Sequence, residues 1–394
     1  MAGSPVSSTG LRVAYVLSLR NGIHSFIYRE LEELERRGIG FTIFAVSTGD
    51  GPYQPKVRWK VVKPTAFRAF SGLLLALAAH PVRMIGLALR AATTRSVVDF
   101  GIALAFLPAF LSSGLGSVHA HFGDHKLFVG HYLHRFLDVP LTATIHAYEL
   151  YMNPNPQMFR KALDSCARIL TVSQYNKDIL RAKYGVDPSC ISVVRLFPWT
   201  VTEISKVPAN DGFTILCVAR FAPKKGHDVL LKAVRRLEDL GHCDVRLVLV
   251  GKGTVDVPRL VRAYGLGSRT TILSDINESA LRAEYARANV FCLPSRTSDG
   301  GDREGIPVSL MEAMAYGLPV VTTAHAGIPE LVRETLVPEG DPEALAEALI
   351  RLKTHPELAE AQGRVNRETV QRDYSPRNVD ELIAVLRRVQ NAAQ

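Results

Sequence analysis

The feature that most narrows the fold is an alternation. Short runs rich in Val, Leu, Ile and Ala, each too brief for a helix, are separated by stretches with apolar residues at helical spacing. In the first half the runs are 12–17, 41–46, 117–120, 141–145 and 168–172, with helical stretches such as 26–37, closed by Gly38, and 126–137 between them. A second series covers 213–219, 245–250, 270–273, 290–293 and 319–322, with helical patterns at 227–240, 279–286 and 308–315. Strands that are apolar throughout and alternate with helices are the mark of parallel sheets covered on both faces. The expectation is α/β, with two Rossmann-like domains in tandem.

Length agrees with two domains. The chain has 394 residues, against a soft prior of about 150 per domain. The aperiodic stretch 199–211, with Pro208, Asn210 and Asp211, reads as a linker, so the domains are expected at 1–200 and 212–375. Residues 376–394 read as a final polar helix, with Ser375 as its N-cap and Pro376 in its first turn. The five cysteines are scattered and never form a CxxC pair, so neither a disulfide framework nor a zinc knuckle is indicated. The opening MAGSPVSSTG has no apolar leader character, and a cytoplasmic protein is expected.

The net charge of +9 is uneven: residues 1–200 hold 22 Lys and Arg against 12 Asp and Glu, and the remainder 25 against 26. Between Asp50 and Asp99 no acid occurs, while Lys56, Arg58, Lys60, Lys63, Arg68, Arg83, Arg90 and Arg95 do. The same segment carries two apolar stripes, Phe67, Phe70, Leu73, Leu74 and Leu77, then Val82, Ile85 and Leu89. Residues 56–95 therefore suit either an anionic membrane surface, making the chain peripheral on the inner face of the plasma membrane, or two helices that cover a sheet. The run 100–111, interrupted by Pro108, is too short to span a bilayer, and no stacking platform supports a nucleic-acid partner.

The chemistry concentrates in the second half. The strand at 290–293 leads through a loop to Glu304, Gly305, Ile306 and Pro307, and then into a helix bearing Val308, Ser309 and Glu312. Ligands of open α/β sheets bind at the carboxyl edge of the strands, where a helix start offers N–H groups to a diphosphate. Glu312 has the chemistry to hold the vicinal diol of a ribose, and Glu304 to hold sugar hydroxyls. Upstream, the loop after 213–219 presents Arg220 and Lys225, two cations able to flank a diphosphate and stabilise a departing one.

These segments resemble the large retaining family of GT-B glycosyltransferases, the family 4 or group 1 type, which includes bacterial exopolysaccharide and phosphatidylinositol mannosyl transferases. The resemblance rests on HAHFGD (119–124), TIHAYELY (144–151), TVSQYNKDIL (171–180), VARFAPKKG (218–226), VLVGKG (248–253), EGIPVSLMEAMA (304–315), PVVTT (319–323) and GIPEL (327–331). It implies two facing Rossmann-like domains with an interdomain cleft that closes on the donor, the last helix crossing back to the first domain. It also implies transfer from a UDP- or GDP-sugar with retention, by a front-face route in which the donor phosphate takes the acceptor proton.

Carried onto this chain, the resemblance makes Glu304 and His146 the catalytic pair. It gives the sugar to Glu304 and the backbone of Gly305, Ile306 and Pro307. Val308 and Ser309 face the diphosphate, Glu312 the ribose, Arg220 and Lys225 the phosphates, Ile276 the nucleobase, and Gly22 a further donor contact. Such enzymes commonly have a double-glycine loop after the first strand; here Gly22 stands alone, as in the exopolysaccharide branch of the colanic acid and amylovoran kind. No metal or other cofactor is implied, and the acceptor is a lipid-linked glycan intermediate or a small-molecule natural product.

Rival readings remain. A sugar-nucleotide epimerase shares this fold. His119, His121, Asp124 and His125 come one residue away from the metal motif of a metal-dependent hydrolase. A nicotinamide oxidoreductase would need a GxGxxG that Gly251 and Gly253 do not complete.

Overall fold

A computed structural model describes residues 10–201 and 212–393 of the chain. Most of the expected linker, 202–211, lies outside the described residues, as does most of the polar lead.

The chain divides into two compact units, Met1–Val194 with Pro376–Gln394, and Arg195–Ser375. The first boundary falls ahead of residue 200 because Trp199 is buried in the core of the second unit, its ring 6.1 Å from that of Tyr285. Trp199 is thus a core residue and not part of a linker.

The first unit is built on seven strands: β1 (Arg12–Leu19), β2 (Gly40–Thr48), β3 (Val61–Val62), β4 (Ser117–His121), β5 (Leu141–Ile145), β6 (Arg168–Thr171) and β7 (Ile191–Val193). They lie in the order β3-β2-β1-β4-β5-β6-β7, every pair parallel. β4 and β5 are buried along their whole length, as an apolar run covered by helices on both faces requires. The strand order reverses direction between β1 and β4.

The second unit repeats the plan with β8 (Phe213–Val218), β9 (Val245–Val250), β10 (Thr270–Leu273), β11 (Val290–Leu293), β12 (Val320–Thr323) and β13 (Leu336–Val337). Its order is β10-β9-β8-β11-β12-β13, again parallel, with the reversal between β8 and β11. A reversal of this kind opens a crevice at the carboxyl edge of the sheet, the place where doubly wound folds take their ligands.

The final helix runs Asn378–Asn391, two residues later than its sequence signal. Pro376 stands ahead of it with its carbonyl held by Arg37 at 2.9 Å, and Arg37 also pairs with Asp380 at 2.8 Å. These bonds tie the helix to the first unit.

The helices Ala66–Ala79 and Pro81–Thr93 do not cover the sheet with the apolar stripes read from the sequence. The residues buried are Gly72 and Ala76 in one and Leu87 and Ala91 in the other. Small side chains let Ala66–Ala79 press against the helix Val97–Leu111, where a Cβ on Gly72 would come within 1.9 Å of the Leu104 carbonyl oxygen. The larger residues face out: Phe67 is 77% exposed, Val82 83% and Leu89 64%. No helix among the described residues is long and apolar enough to cross a membrane.

Candidate functional site

In the second unit the loops after β8 and β11 flank the strand-order reversal, and they carry the residues singled out from the sequence. β8 leads through Arg220 to a short turn, Pro223–Lys225, and then to Gly226, which starts the helix His227–Asp239. Gly226 adopts a left-handed φ of +66° with the Pro294 carbonyl oxygen 2.0 Å from where a Cβ would sit, so only glycine lets the two loops touch. The Arg296 N–H donates to the Lys224 carbonyl at 2.8 Å and joins them further.

Glu304 is the centre of this arrangement. Lys225 Nζ lies 2.9 Å from its Oε2 and Lys224 Nζ 3.5 Å from its Oε1. Burial alone would raise the Glu304 carboxyl; the charges of Lys225 and Lys224 outweigh it and hold the group below its ordinary value. The Glu304 N–H donates to His325 Nε2 at 3.0 Å, and His325 Nδ1 lies 2.7 Å from Glu339 Oε1. Glu339 also accepts from the Thr297 N–H at 2.7 Å, so one carboxylate steadies both ends of the loop.

The helix Val308–Ala315 follows, with Pro307 at its N-cap position and no side-chain cap. Its first N–H groups and the partial positive charge of the helix start are thus offered beside two lysines. Glu312, on the second turn, is 5% exposed and accepts from the Tyr285 hydroxyl at 3.0 Å. Ile306 and Pro307 are buried, while Gly305, Val308 and Ser309 keep partial exposure. Arg220 is exposed and has no ion-pair partner among the described residues. Ile276 is half-buried against the core, in the loop after β10.

Lys224, His325 and Glu339 were not singled out from the sequence. Lys224 adjoins Lys225 and shared its signal; His325 and Glu339 follow β12 and β13, and nothing local marks them as partners of Glu304.

In the first unit, His146 ends β5 and is 7% exposed. Its N–H donates to Glu149 Oε1 at 2.8 Å, and the same oxygen accepts from the Gly123 N–H at 2.9 Å. The Asn176 amide donates to the His146 carbonyl. The imidazole sits among Phe122, Phe26 and His121. Burial, with His121, His24 and Lys126 nearby, holds it well below its ordinary value, so the ring is neutral. Gly22, at φ +73°, packs under the 51–53 loop, where a Cβ would meet the Tyr53 carbonyl oxygen at 2.7 Å. That contact and the left-handed φ require glycine at this position.

The four residues of the hydrolase alternative do not converge. Asp124 caps the helix His125–Leu137 and holds Lys126 Nζ at 2.6 Å, and His125 turns to Asp99 at 2.8 Å. His119 and His121 instead meet Glu30, with one ligand atom of each within 4.8 Å of the others. Both His119 nitrogens are already held by hydroxyls, Nδ1 by Thr142 at 2.8 Å and Nε2 by Thr144 at 3.2 Å. Filled hydrogen-bond positions of this kind orient a core histidine without an ion.

Residues 20–196 match the family model described as Glycosyltransferase Family 4, and residues 212–355 the one described as Glycosyl transferases group 1. The putative colanic acid biosynthesis glycosyltransferase WcaL of Escherichia coli (strain K12) is 37% identical over 214 residues, 52% of this chain and 51% of that protein. A GDP-mannose-dependent monoacylated alpha-(1-6)-phosphatidylinositol monomannoside mannosyltransferase of Corynebacterium glutamicum is 30% identical over 59% of this chain and 66% of its own length. The matched stretch of the chain thus spans about half the length of the first of these curated relatives. Among solved structures, the sucrose-phosphate synthase of Thermosynechococcus elongatus superposes with a TM-score of 0.72 over 98% of this chain and all of that one, at 20% identity. With two family models succeeding one another along most of its length and a doubly wound parallel sheet under each, the chain belongs to the family 4, group 1 glycosyltransferases of the GT-B fold.

Proposed function

We propose that the chain moves a sugar from a nucleotide-sugar donor, a UDP- or GDP-sugar, to an acceptor hydroxyl with retention of anomeric configuration. The observation that carries this reading is Glu304 held between Lys225 and Lys224 beside the uncapped start of Val308–Ala315. The donor diphosphate sits at that helix start, with Arg220 and Lys225 on its oxygens and Val308 and Ser309 beneath it. Glu312 takes the ribose hydroxyls and Glu304 those of the sugar, which also lies against the backbone of Gly305, Ile306 and Pro307. Ile276 is assigned to the base, Gly22 to a further donor contact, and His146 to the first unit's share of the catalysis.

In this mechanism the bond from C1 to the phosphate oxygen breaks as the acceptor oxygen bonds C1 on the same face, and the acceptor proton passes to the departing phosphate. Arg220, Lys225 and the helix start carry the developing charge, which leaves no step that requires a metal or other cofactor.

The acceptor is a lipid-linked glycan intermediate, in keeping with relatives named for colanic acid biosynthesis and for a phosphatidylinositol mannoside. A surface to match is the outward row Phe67, Phe70, Leu74, Val82, Ile85 and Leu89. Beside it lie Lys63, Arg68, Arg90 and Arg95, none with a salt-bridge partner among the described residues. We assign this face to an anionic membrane surface. Small-molecule acceptors are the alternative.

Thermal unfolding against a panel of UDP-, GDP-, ADP- and TDP-sugars, with NAD and NADP beside them, tests the donor. A selective rise with one nucleotide sugar, and nucleotide release when acceptor is added, is expected. A rise with a dinucleotide alone would overturn the reading.

A further inference from the structure

Behind His146 lies a buried chain of hydrogen bonds that the donor reading does not use. Glu30 belongs to the helix Ser25–Arg36, whose buried residues are Ile27, Arg29, Glu30, Leu31 and Leu34. A buried acid needs partners. Glu30 Oε1 accepts from the Tyr15 hydroxyl at 3.1 Å and lies 3.0 Å from His121 Nε2. His121 Nδ1 lies in turn 3.3 Å from His146 Nε2. The two imidazoles are inclined by only 25° with centroids 5.6 Å apart, the arrangement of rings that share an in-plane hydrogen bond.

The direction of this chain follows from what each group can give. Burial, and then the Glu30 carboxylate, push the Tyr15 phenol well above its ordinary value, so it stays protonated and donates. A carboxylate only accepts, so His121 Nε2 carries a hydrogen toward Glu30, and in the tautomer with that single ring hydrogen Nδ1 is a lone pair. The hydrogen between the rings then belongs to His146 Nε2. Its other nitrogen, Nδ1, has no hydrogen-bond partner among the described residues.

We propose, resting on the glycosyltransferase reading, that Glu30 and His121 are positioning residues: they fix the proton of His146 on Nε2 and leave Nδ1 as a lone-pair acceptor for a substrate hydroxyl. The nitrogen that holds the proton is set by the bond its partner nitrogen makes. Other charged or titratable groups around His146 are His24, His119, Lys126 and Glu149. Lys126 Nζ lies over the Phe122 ring, and Glu149 holds the His146 N–H, so neither competes for the ring nitrogens in the structure.

The test uses the full chain with 15N-labelled histidine, the His146 signals being assigned by their loss in His146→Gln. Nitrogen shifts in the native protein should show Nε2 protonated and Nδ1 bare. In Glu30→Gln the amide can donate to His121 Nε2, which reverses the chain and moves the His146 proton to Nδ1. Turnover of the donor should then fall by about tenfold or more, as wrong tautomers do elsewhere, and Glu30→Asp should recover part of it. A native His146 protonated on Nδ1, an unchanged tautomer in a folded Glu30→Gln, or stoichiometric zinc in the purified protein would each overturn the proposal. Should no nucleotide sugar be turned over by the native protein, the glycosyltransferase reading fails, whereas the nitrogen shifts still decide the tautomer.

Discussion

Lys225 and Glu304 stand 79 positions apart in sequence and 2.9 Å apart in space, one on the loop after β8 and the other on the loop after β11. Their pairing crosses the strand-order reversal and joins the two loops assigned to the donor. Both side chains are largely buried, at 13% and 10% exposure, so the ion pair is weakly screened.

Lys225→Met leaves the Glu304 carboxylate with Lys224 as its remaining cation. The expected loss is about 1–3 kcal/mol of stability near neutral pH, together with weaker donor binding. Glu304 titrates below its ordinary 4.5 in the folded chain. The pairing therefore stabilises the fold above that value, and its contribution is lost as the pH falls through the folded pKa. Thermal unfolding of both proteins from about pH 7 to about pH 3 checks this: the gap between them should close on the acid side.

Glu312→Gln keeps the size of the side chain and removes its charge. Hydrogen bonds to a charged acceptor contribute about 1.5–3 kcal/mol, so affinity for the nucleotide alone should fall by roughly tenfold to a hundredfold. Glu304→Gln should act on turnover more than on nucleotide affinity, because its assigned partner is the sugar. Titration calorimetry with the free nucleotide, set beside steady-state rates, separates the two. Equal effects in both variants would count against the division of labour.

His325→Leu tests a residue with no assigned contact to the donor. The Glu304 N–H would lose its acceptor and remain buried, at a cost of about 1–3 kcal/mol. Turnover should drop with the loop, and Glu339→Gln should reproduce part of the loss, since it weakens the hold on His325 Nδ1. Unfolding curves with unchanged rates would make the pair purely structural.

What the sequence disclosed follows from the range of each interaction. Central strands such as β5 and β11 were legible because a fully covered strand must be apolar at every position. The two-residue strands β3 and β13 have no periodicity to detect. Glu304 and Glu312 were visible as a spaced motif on one continuous segment. His325, Glu339 and the Glu30–His121 pair act through partners 14 to 91 positions away, a distance that no local pattern encodes. The apolar stripes at 67–77 and 82–89 were visible, but spacing alone could not say which face of each helix is covered. That depended on Gly72 and Ala76, whose smallness permits the close approach to Val97–Leu111.

The outward stripe yields the last prediction. Phe67 and Phe70 lie one turn apart on the exposed face of Ala66–Ala79, at 77% and 60% exposure, and Ile85 and Leu89 repeat the spacing on Pro81–Thr93 at 57% and 64%. Lys56, Arg58 and Arg83 are engaged by Glu32, Glu35 and Asp138 and Lys60 by the Ser113 hydroxyl, which leaves Lys63, Arg68, Arg90 and Arg95 to meet anionic headgroups. Burying each large apolar side chain in the interface is worth about 1.5–3 kcal/mol, and each nearby cation about 1 kcal/mol. Phe67→Ser with Ile85→Ser should therefore lower the affinity for phosphatidylglycerol vesicles by at least about a hundredfold without lowering the unfolding temperature, since neither side chain is in the core. Arg68→Gln with Arg90→Gln should weaken binding at low salt and make little difference near 0.5 M, where charges are screened within about 4 Å. Cosedimentation with vesicles measures both effects, and a native protein that stays in the supernatant at low salt would remove the assignment of this face.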